Sequence, residues 1–273
     1  MRKICSFDEI KEEQLFRFST GFPDLDRAYG ISQFLDGSYC WGLPSGKISL
    51  WAGAGGVGKT RVAVELALKI SALKEKVLFY QNEVSPQEFK GWVKKPVISP
   101  EHLFVDNAPL LQDQIEGIKE IMPKVVIVDS VNMMEGFTSP EELRNILQTY
   151  KNVAEETKCH VIFISHLNKQ GSVKGNNDVT YLVDVVARLY PHINPNNKQE
   201  VKGVFVLEIG KNRYGPSGGW VCFRHTNDGI EFFMSSFSKV EEKKSYRNSK
   251  NIISEEIVKK KENKDSIFKR MFR

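Results

Sequence analysis

Residues Trp51-Ala52-Gly53-Ala54-Gly55-Gly56-Val57-Gly58-Lys59-Thr60 decide the fold. From Gly53 to Thr60 they fit the pattern G-x-x-x-x-G-K-[ST], the loop that cradles the phosphates of a bound nucleotide. The glycines let the backbone curl so that successive N–H groups point inward at phosphate oxygens. Ala54 and Val57 fill the variable positions, and Arg61 follows directly. The pattern assigns Lys59 to the β/γ-phosphates and the Thr60 hydroxyl to Mg²⁺. The flanks agree. Ile48-Ser49-Leu50-Trp51 reads as a short strand, and Lys59–Ser71 reads as a helix whose N-terminus faces the phosphates. A glycine-rich turn carrying a surface lysine would need neither flank.

The remaining chain supplies the partners such a loop requires. Val77–Gln81 lies in an apolar run that ends at Glu83, and Ser85-Pro86 opens the next helix. Leu103–Asp106 is a short strand and Leu111–Met122 a helix. Lys124-Val125-Val126-Ile127-Val128-Asp129 reads as a central parallel strand, Glu141–Glu156 as a helix, and His160–Ser165 as a further buried strand. Strands alternating with helices predict a parallel sheet covered on both faces. From Asp184 the pattern changes to four strand-like runs with no helix between them, an antiparallel extension of one sheet edge. Residues 30–42 read as a loop longer than a tight connection needs, and residues 1–18 as an arm or a short lead-in helix.

Composition sets further bounds. Apolar residues make up 41% of 273, enough for a sizeable core. No run of about 18 apolar residues exists, so no membrane-spanning helix is expected, and the N-terminus lacks the apolar segment of a secretory leader. A cytoplasmic protein follows as the expectation. Cys5, Cys40, Cys159 and Cys222 are far apart, which argues against a zinc ribbon or a disulfide framework. Of 39 Lys/Arg and 34 Asp/Glu, 12 and 6 fall in residues 238–273, leaving 27 and 28 for the rest. The basic character therefore belongs to the tail, which reads either as solvated chain or as a segment that docks on a partner protein.

Candidate chemistry follows from strand ends. Parallel strands deliver their C-terminal ends to one crevice. That places Asp129 to bind Mg²⁺ through water and Glu83 to act as the base that activates water. His166, one residue past the next strand, is placed to sense the terminal phosphate. The loop of residues 167–180 carries Lys169 and Lys174, cations suited to a phosphate backbone. Lys211-Asn212-Arg213-Tyr214-Gly215-Pro216 puts two cations on a tight turn, suited to reaching another subunit's phosphates or simply forming a basic hairpin tip.

Together these segments resemble the ATPase core of the RadA/Sms DNA-repair proteins, within the RecA-like and DnaB-like ATPases. The matching residues are Ser19-Thr20-Gly21-Phe22 with Leu25-Asp26, Gly53–Thr60, Gln81–Ser85, Asp129-Ser130, Ser165-His166, 171–175, Val183-Asp184 and Lys211–Pro216, across residues 19–235. The last is similar to the family's Lys-Asn-Arg-Phe-Gly signature. The resemblance implies a RecA-like α/β P-loop domain over 19–237, hydrolysing ATP with Mg²⁺. It implies a homo-oligomeric ring, a hexamer, acting on single-stranded or branched DNA. By that implication Glu83 is the catalytic base, His166 the γ-phosphate sensor, and Lys211 and Arg213 act in trans. The loops at 131–140 and 167–180 would face DNA. The family's N-terminal four-cysteine zinc motif has only Cys5 as a counterpart, a charged stretch of 36 residues stands where its protease-like domain would be, and Thr180-Tyr181 replace an acidic residue and a histidine. Rival expectations are a RecA-type strand-exchange filament and a KaiC-like ATP-binding switch that organises partners without translocating.

Overall fold

The computed structural model describes residues 6–7, 13–93, 95–134, 139–166, 179–227 and 229–237. By internal contacts the chain divides into residues 1–234 and 235–273. The first elements are β1 (Arg17–Phe18), α1 (Pro23–Tyr29), β2 (Ile31–Gln33), β3 (Tyr39–Trp41) and β4 (Leu43–Pro44). Then follow β5 (Ile48–Gly53), α2 (Lys59–Ala72), β6 (Val77–Gln81), α3 (Pro86–Trp92), β7 (Leu103–Asp106) and α4 (Leu111–Ile121). The chain continues through β8 (Val125–Asp129), α5 (Pro140–Thr157), β9 (His160–His166) and the single turn α6 (Val179–Leu182). It closes with β10 (Val185–Ile193), β11 (Glu200–Asn212), β12 (Gly219–Thr226) and β13 (Gly229–Ser235).

Nine strands form one sheet in the order β13-β12-β11-β10-β5-β9-β8-β6-β7. From β10 through β7 the neighbours are parallel, and β11 and β12 add on antiparallel. This is the expected α/β architecture, a P-loop ATPase sheet with an antiparallel extension. The four central strands explain why. All residues of β5, β6 and β8, and all of β9 up to Ser165, are buried. Strands covered on both faces by helices need continuous Val, Ile and Phe rather than alternation. Ser85 and Ser139 cap α3 and α5: each hydroxyl accepts from the N–H three residues on, at 3.2 Å, and proline follows at the first helical position.

One face of the core is built around Tyr80, Tyr150 and Phe163. The Tyr150 and Phe163 rings meet edge to face at 4.9 Å. Both tyrosine hydroxyls find a partner in the fully buried Gln114: Tyr80 donates to its backbone oxygen at 2.7 Å and Tyr150 to its side-chain oxygen.

Two readings of the sequence need correction. Residues 30–42 are not a plain loop. Ile31–Gln33 and Tyr39–Trp41 pair as a two-stranded antiparallel ribbon, with Ile31 opposite Trp41 and Gln33 opposite Tyr39. Strands of three residues are too short to show a period, and their anchor is a side chain far away in sequence. Arg17, only 6% exposed, donates to Ser32 Oγ at 2.9 Å, Tyr29 O at 3.2 Å and Gly42 O at 2.9 Å. The lead-in is not helical in residues 13–18: Arg17–Phe18 pairs with Leu43–Pro44 as an antiparallel strand. The tail of residues 238–273, Lys169, Lys174 and the 171–175 segment lie outside the described residues.

Candidate nucleotide-binding site

The four central strands end at one crevice, and each delivers a residue singled out in the sequence. Beyond β5 the chain turns through Gly53–Gly58 into α2. Gly56 and Gly58 have φ of +80° and +83°, the left-handed region that glycine alone enters without cost. A Cβ built on Gly55 or Gly56 meets nothing within 4 Å, so the concave side of the loop is open. Gly58 is different. A Cβ there would lie 2.4 Å from Nε2 of His225, whose ring packs between Phe205 and Phe223.

Lys59 is 5% exposed and folds back over its own loop, donating to Gly53 O at 2.9 Å and Ala54 O at 2.8 Å. Burial lowers its amine below the usual lysine range, partly offset by the charges of Asp129 and Glu83. His166 Nδ1 stands 3.4 Å from Nζ. Asp129, at the end of β8, is 1% exposed and hydrogen-bonded to the Thr60 side chain. Burial pushes its carboxyl up to about 6, and the neighbouring Glu83 charge adds to the rise.

Glu83 lies just past β6, and its Oε1 is 3.9 Å from His166 Nε2. Three residues absent from the expected list hold this group in place. Ser130 Oγ donates to Glu83 Oε1 at 3.1 Å, and Glu83 N donates to Gln81 Oε1 at 2.9 Å. Asn132 Oδ1 accepts from Ser165 Oγ at 3.2 Å and from His166 N at 3.4 Å. Their signal in the sequence was faint: polar residues at the very end of an apolar strand, such as Gln81, or just beyond one, such as Ser130 and Asn132.

A cleft of about 650 Å³ opens over the loop, lined by Lys59, Thr60, Arg61, Glu83 and His166, and further along by Trp92. Arg61 donates to Thr226 O at 2.7 Å, which ties the β12–β13 turn to α2 beside the loop. The donor set fits a magnesium nucleotide. It offers open N–H groups, one buried amine, one hydroxyl, and two carboxylates of which one is almost fully buried. Among the described residues no cluster of three or more His, Cys, Asp or Glu side chains could hold a metal by itself. A cation here would share its ligands with the nucleotide.

The structure does not bring Lys211 and Arg213 to this cleft. Asn212 pairs with Val185, which pairs with Ser49 at the start of β5, whereas the phosphate loop leaves the other end of that strand. The two ends are separated by roughly 15 Å of strand. At its own end Lys211 Nζ donates to Thr180 O at 2.5 Å and Val183 O at 2.8 Å. Arg213 donates to Tyr181 O at 2.6 Å and stands 3.4 Å from Asp184 Oδ1, with its side chain 41% exposed. Burial and the Arg213 charge lower the Lys211 amine. The strand β12 runs from the Gly219 end beside this turn to His225 against the phosphate loop.

Comparison with known proteins agrees with this geometry. A family model described as an AAA domain matches residues 39–172. The chain is similar to the DNA repair protein RadA of Mycolicibacterium smegmatis, 26% identical over 224 residues, 78% of this chain and 44% of that protein. RadA of Halalkalibacterium halodurans is 24% identical over 229 residues, 82% and 46% of the two chains. RadA of Aquifex aeolicus is 23% identical over 234 residues, 84% and 49%. The chain spans about half the length of these curated relatives. It carries a RadA-like P-loop ATPase core. No helix among the described residues is long and apolar enough to cross a membrane.

Proposed function

We propose that this chain is the motor subunit of a homohexameric ring that hydrolyses ATP while acting on single-stranded or branched DNA. One observation supports this reading most. The groups for phosphate chemistry converge at one end of the sheet, and a two-cation turn stands at the other end, out of reach of its own cleft. A second subunit satisfies both halves.

Within the cleft, each residue has a task its surroundings suit. The Lys59 amine, held on loop carbonyls, is the cation that offsets phosphate charge. The Thr60 hydroxyl and, through water, Asp129 would hold Mg²⁺. Magnesium ATP supplies the terminal phosphoryl group that is transferred to water. The Glu83 carboxylate takes the proton from that water, with Ser130 fixing the orientation of Oε1. His166, 3.4 Å from Lys59 and 3.9 Å from Glu83, joins the cation to the base and passes their arrangement to the following loop. That loop holds Lys169 and Lys174, which we assign to the DNA backbone. Arg213, with Lys211, is assigned to the neighbouring subunit's phosphates. The RadA relatives, named as DNA repair proteins, support the choice of DNA.

The test is the steady-state ATPase rate with and without single-stranded DNA at two salt concentrations. A stimulated rate whose stimulation falls with salt is expected. A rate indifferent to DNA would overturn the DNA motor in favour of a nucleotide-driven switch.

A further inference from the structure

We infer that the β2–β3 ribbon is a subunit contact, through which one copy of this chain docks on the next beside the cleft that Arg213 enters. The inference rests on the ring reading above and names the surface that would hold the ring together.

The ribbon has an unpartnered outer face. Ile31, Tyr39 and Trp41 are 41%, 57% and 43% exposed, and Leu35 at the turn is 98% exposed. The pairings of Ile31 with Trp41 and of Gln33 with Tyr39 put these side chains on one side, away from Ser32 and Cys40. Phe16, 55% exposed, extends the apolar surface by stacking on Phe34 at 5.0 Å. Isolated exposed apolar residues are ordinary, but a contiguous group on a projecting ribbon marks a contact surface.

The charge of the ribbon narrows the partner. Asp36 is the single charged residue in 30–42, and it is engaged by Ser38, whose N–H and hydroxyl donate to it at 2.9 and 2.6 Å. A surface that binds a nucleic-acid strand combines its aromatics with Lys or Arg; this one has none. The face fits protein.

Its position selects a second copy. The ribbon is fastened to the turn that carries Arg213. Arg17 donates to Ser32 on the ribbon and to Tyr214 O on the turn, so one buried guanidinium holds both. Asn212 Nδ2 donates at 2.8 Å to Tyr29 O, directly before the ribbon. A Cβ on Gly30 would meet Pro216 at 3.0 Å and Gly215 at 3.3 Å. Ribbon and turn therefore present one continuous surface, apolar on the ribbon and cationic on the turn. Whatever the turn reaches, the ribbon must also meet. The cleft lies at the opposite end of the sheet, so the contact is head to tail, the kind that closes into a ring.

The experiment is sedimentation velocity of the full chain with magnesium and a non-hydrolysable ATP analogue. Wild type is compared with the double variant Tyr39→Glu/Trp41→Glu and with Leu35→Lys. Analogue binding per subunit and the urea midpoint are measured on each. The expected result is assembly of wild type, with the concentration for half-assembly raised roughly tenfold or more in the double variant. Analogue binding should be unchanged, because neither residue lines the cleft. Leu35 lies on the exposed turn, so its replacement reports on contact even if the double variant is less stable. Variants that assemble at the wild-type concentration overturn the inference and leave the ring standing. A wild type that remains monomeric with the analogue overturns the ring and this contact together.

Discussion

Replacing Gly58 by alanine tests the packing of the phosphate loop at a single atom. Two costs are readable from the structure. The residue sits at φ of +83°, where an L side chain costs about 1–2 kcal/mol. The new methyl would also lie 2.4 Å from His225 Nε2 and 2.5 Å from Cε1. The ring has little room to retreat, because Phe205 and Phe223 flank it with centroids at 5.3 and 5.8 Å. Overpacking of this kind costs about 1–3 kcal/mol. The total, about 2–5 kcal/mol, is a large share of a typical domain's stability and should move the urea midpoint by about 1 M. The clash part is separable. In Gly58→Ala/His225→Ala the methyl meets empty space, so the double variant should be more stable than the sum of the single effects by about 1–3 kcal/mol. The backbone strain remains in both. Urea unfolding of the four proteins, followed by circular dichroism, measures this directly. Strict additivity would refute the placement of His225 against the loop, and a Gly58→Ala protein within about 0.5 kcal/mol of wild type would refute the strain argument as well.

Three other outcomes are expected. Lys59→Ala should abolish turnover, since no other cation is buried in the loop; turnover near wild type would sink the phosphate-loop assignment. Asp129 carries a pH signature: its carboxyl is raised from 3.8 to about 6, so its contribution to stability is fully present below about pH 3.8 and is lost as the pH rises through about 6. Asp129→Asn should therefore gain on the order of 3 kcal/mol relative to wild type at neutral pH without nucleotide, while losing Mg²⁺-dependent hydrolysis, and parallel pH profiles of urea stability would contradict this. Arg213→Ala should keep nucleotide binding and lose hydrolysis, and mixing it with Lys59→Ala subunits should restore part of the rate, because each supplies what the other lacks; an inactive mixture would argue against action between subunits.

Much of the architecture was legible because burial on both faces leaves a plain trace. Strands β5, β6, β8 and β9 are continuous apolar runs, and their ends could be read as one crevice before any coordinate was known. Glu83, Asp129 and His166 meet there as that rule requires. What the chain conceals are relations that depend on sheet order. Ser130 reaches Glu83 only because β8 lies beside β6, and Asn132 holds His166 only because β9 lies beside β8. Neither adjacency is encoded locally. The β2–β3 ribbon was missed for a related reason: its strands have three residues each, and the arginine that anchors it comes from β1. The location of Lys211 and Arg213 follows from the register of three neighbouring strands, β11 on β10 on β5, which spacing along the chain cannot supply.

The course of β12 has a consequence of its own. Eight residues, roughly 27 Å of extended chain, separate the Arg213 turn from the imidazole pressed on Gly58. A buried strand bonded into a sheet hardly stretches, so it behaves as a connecting rod. If the loop shifts when its nucleotide changes, the rod carries the shift to the far end, where a different molecule's nucleotide would feel it. In a closed ring such rods join end to end around the circle. The subunits then cannot keep independent time, and firing order becomes a property of strand stiffness rather than of any dedicated signalling residue.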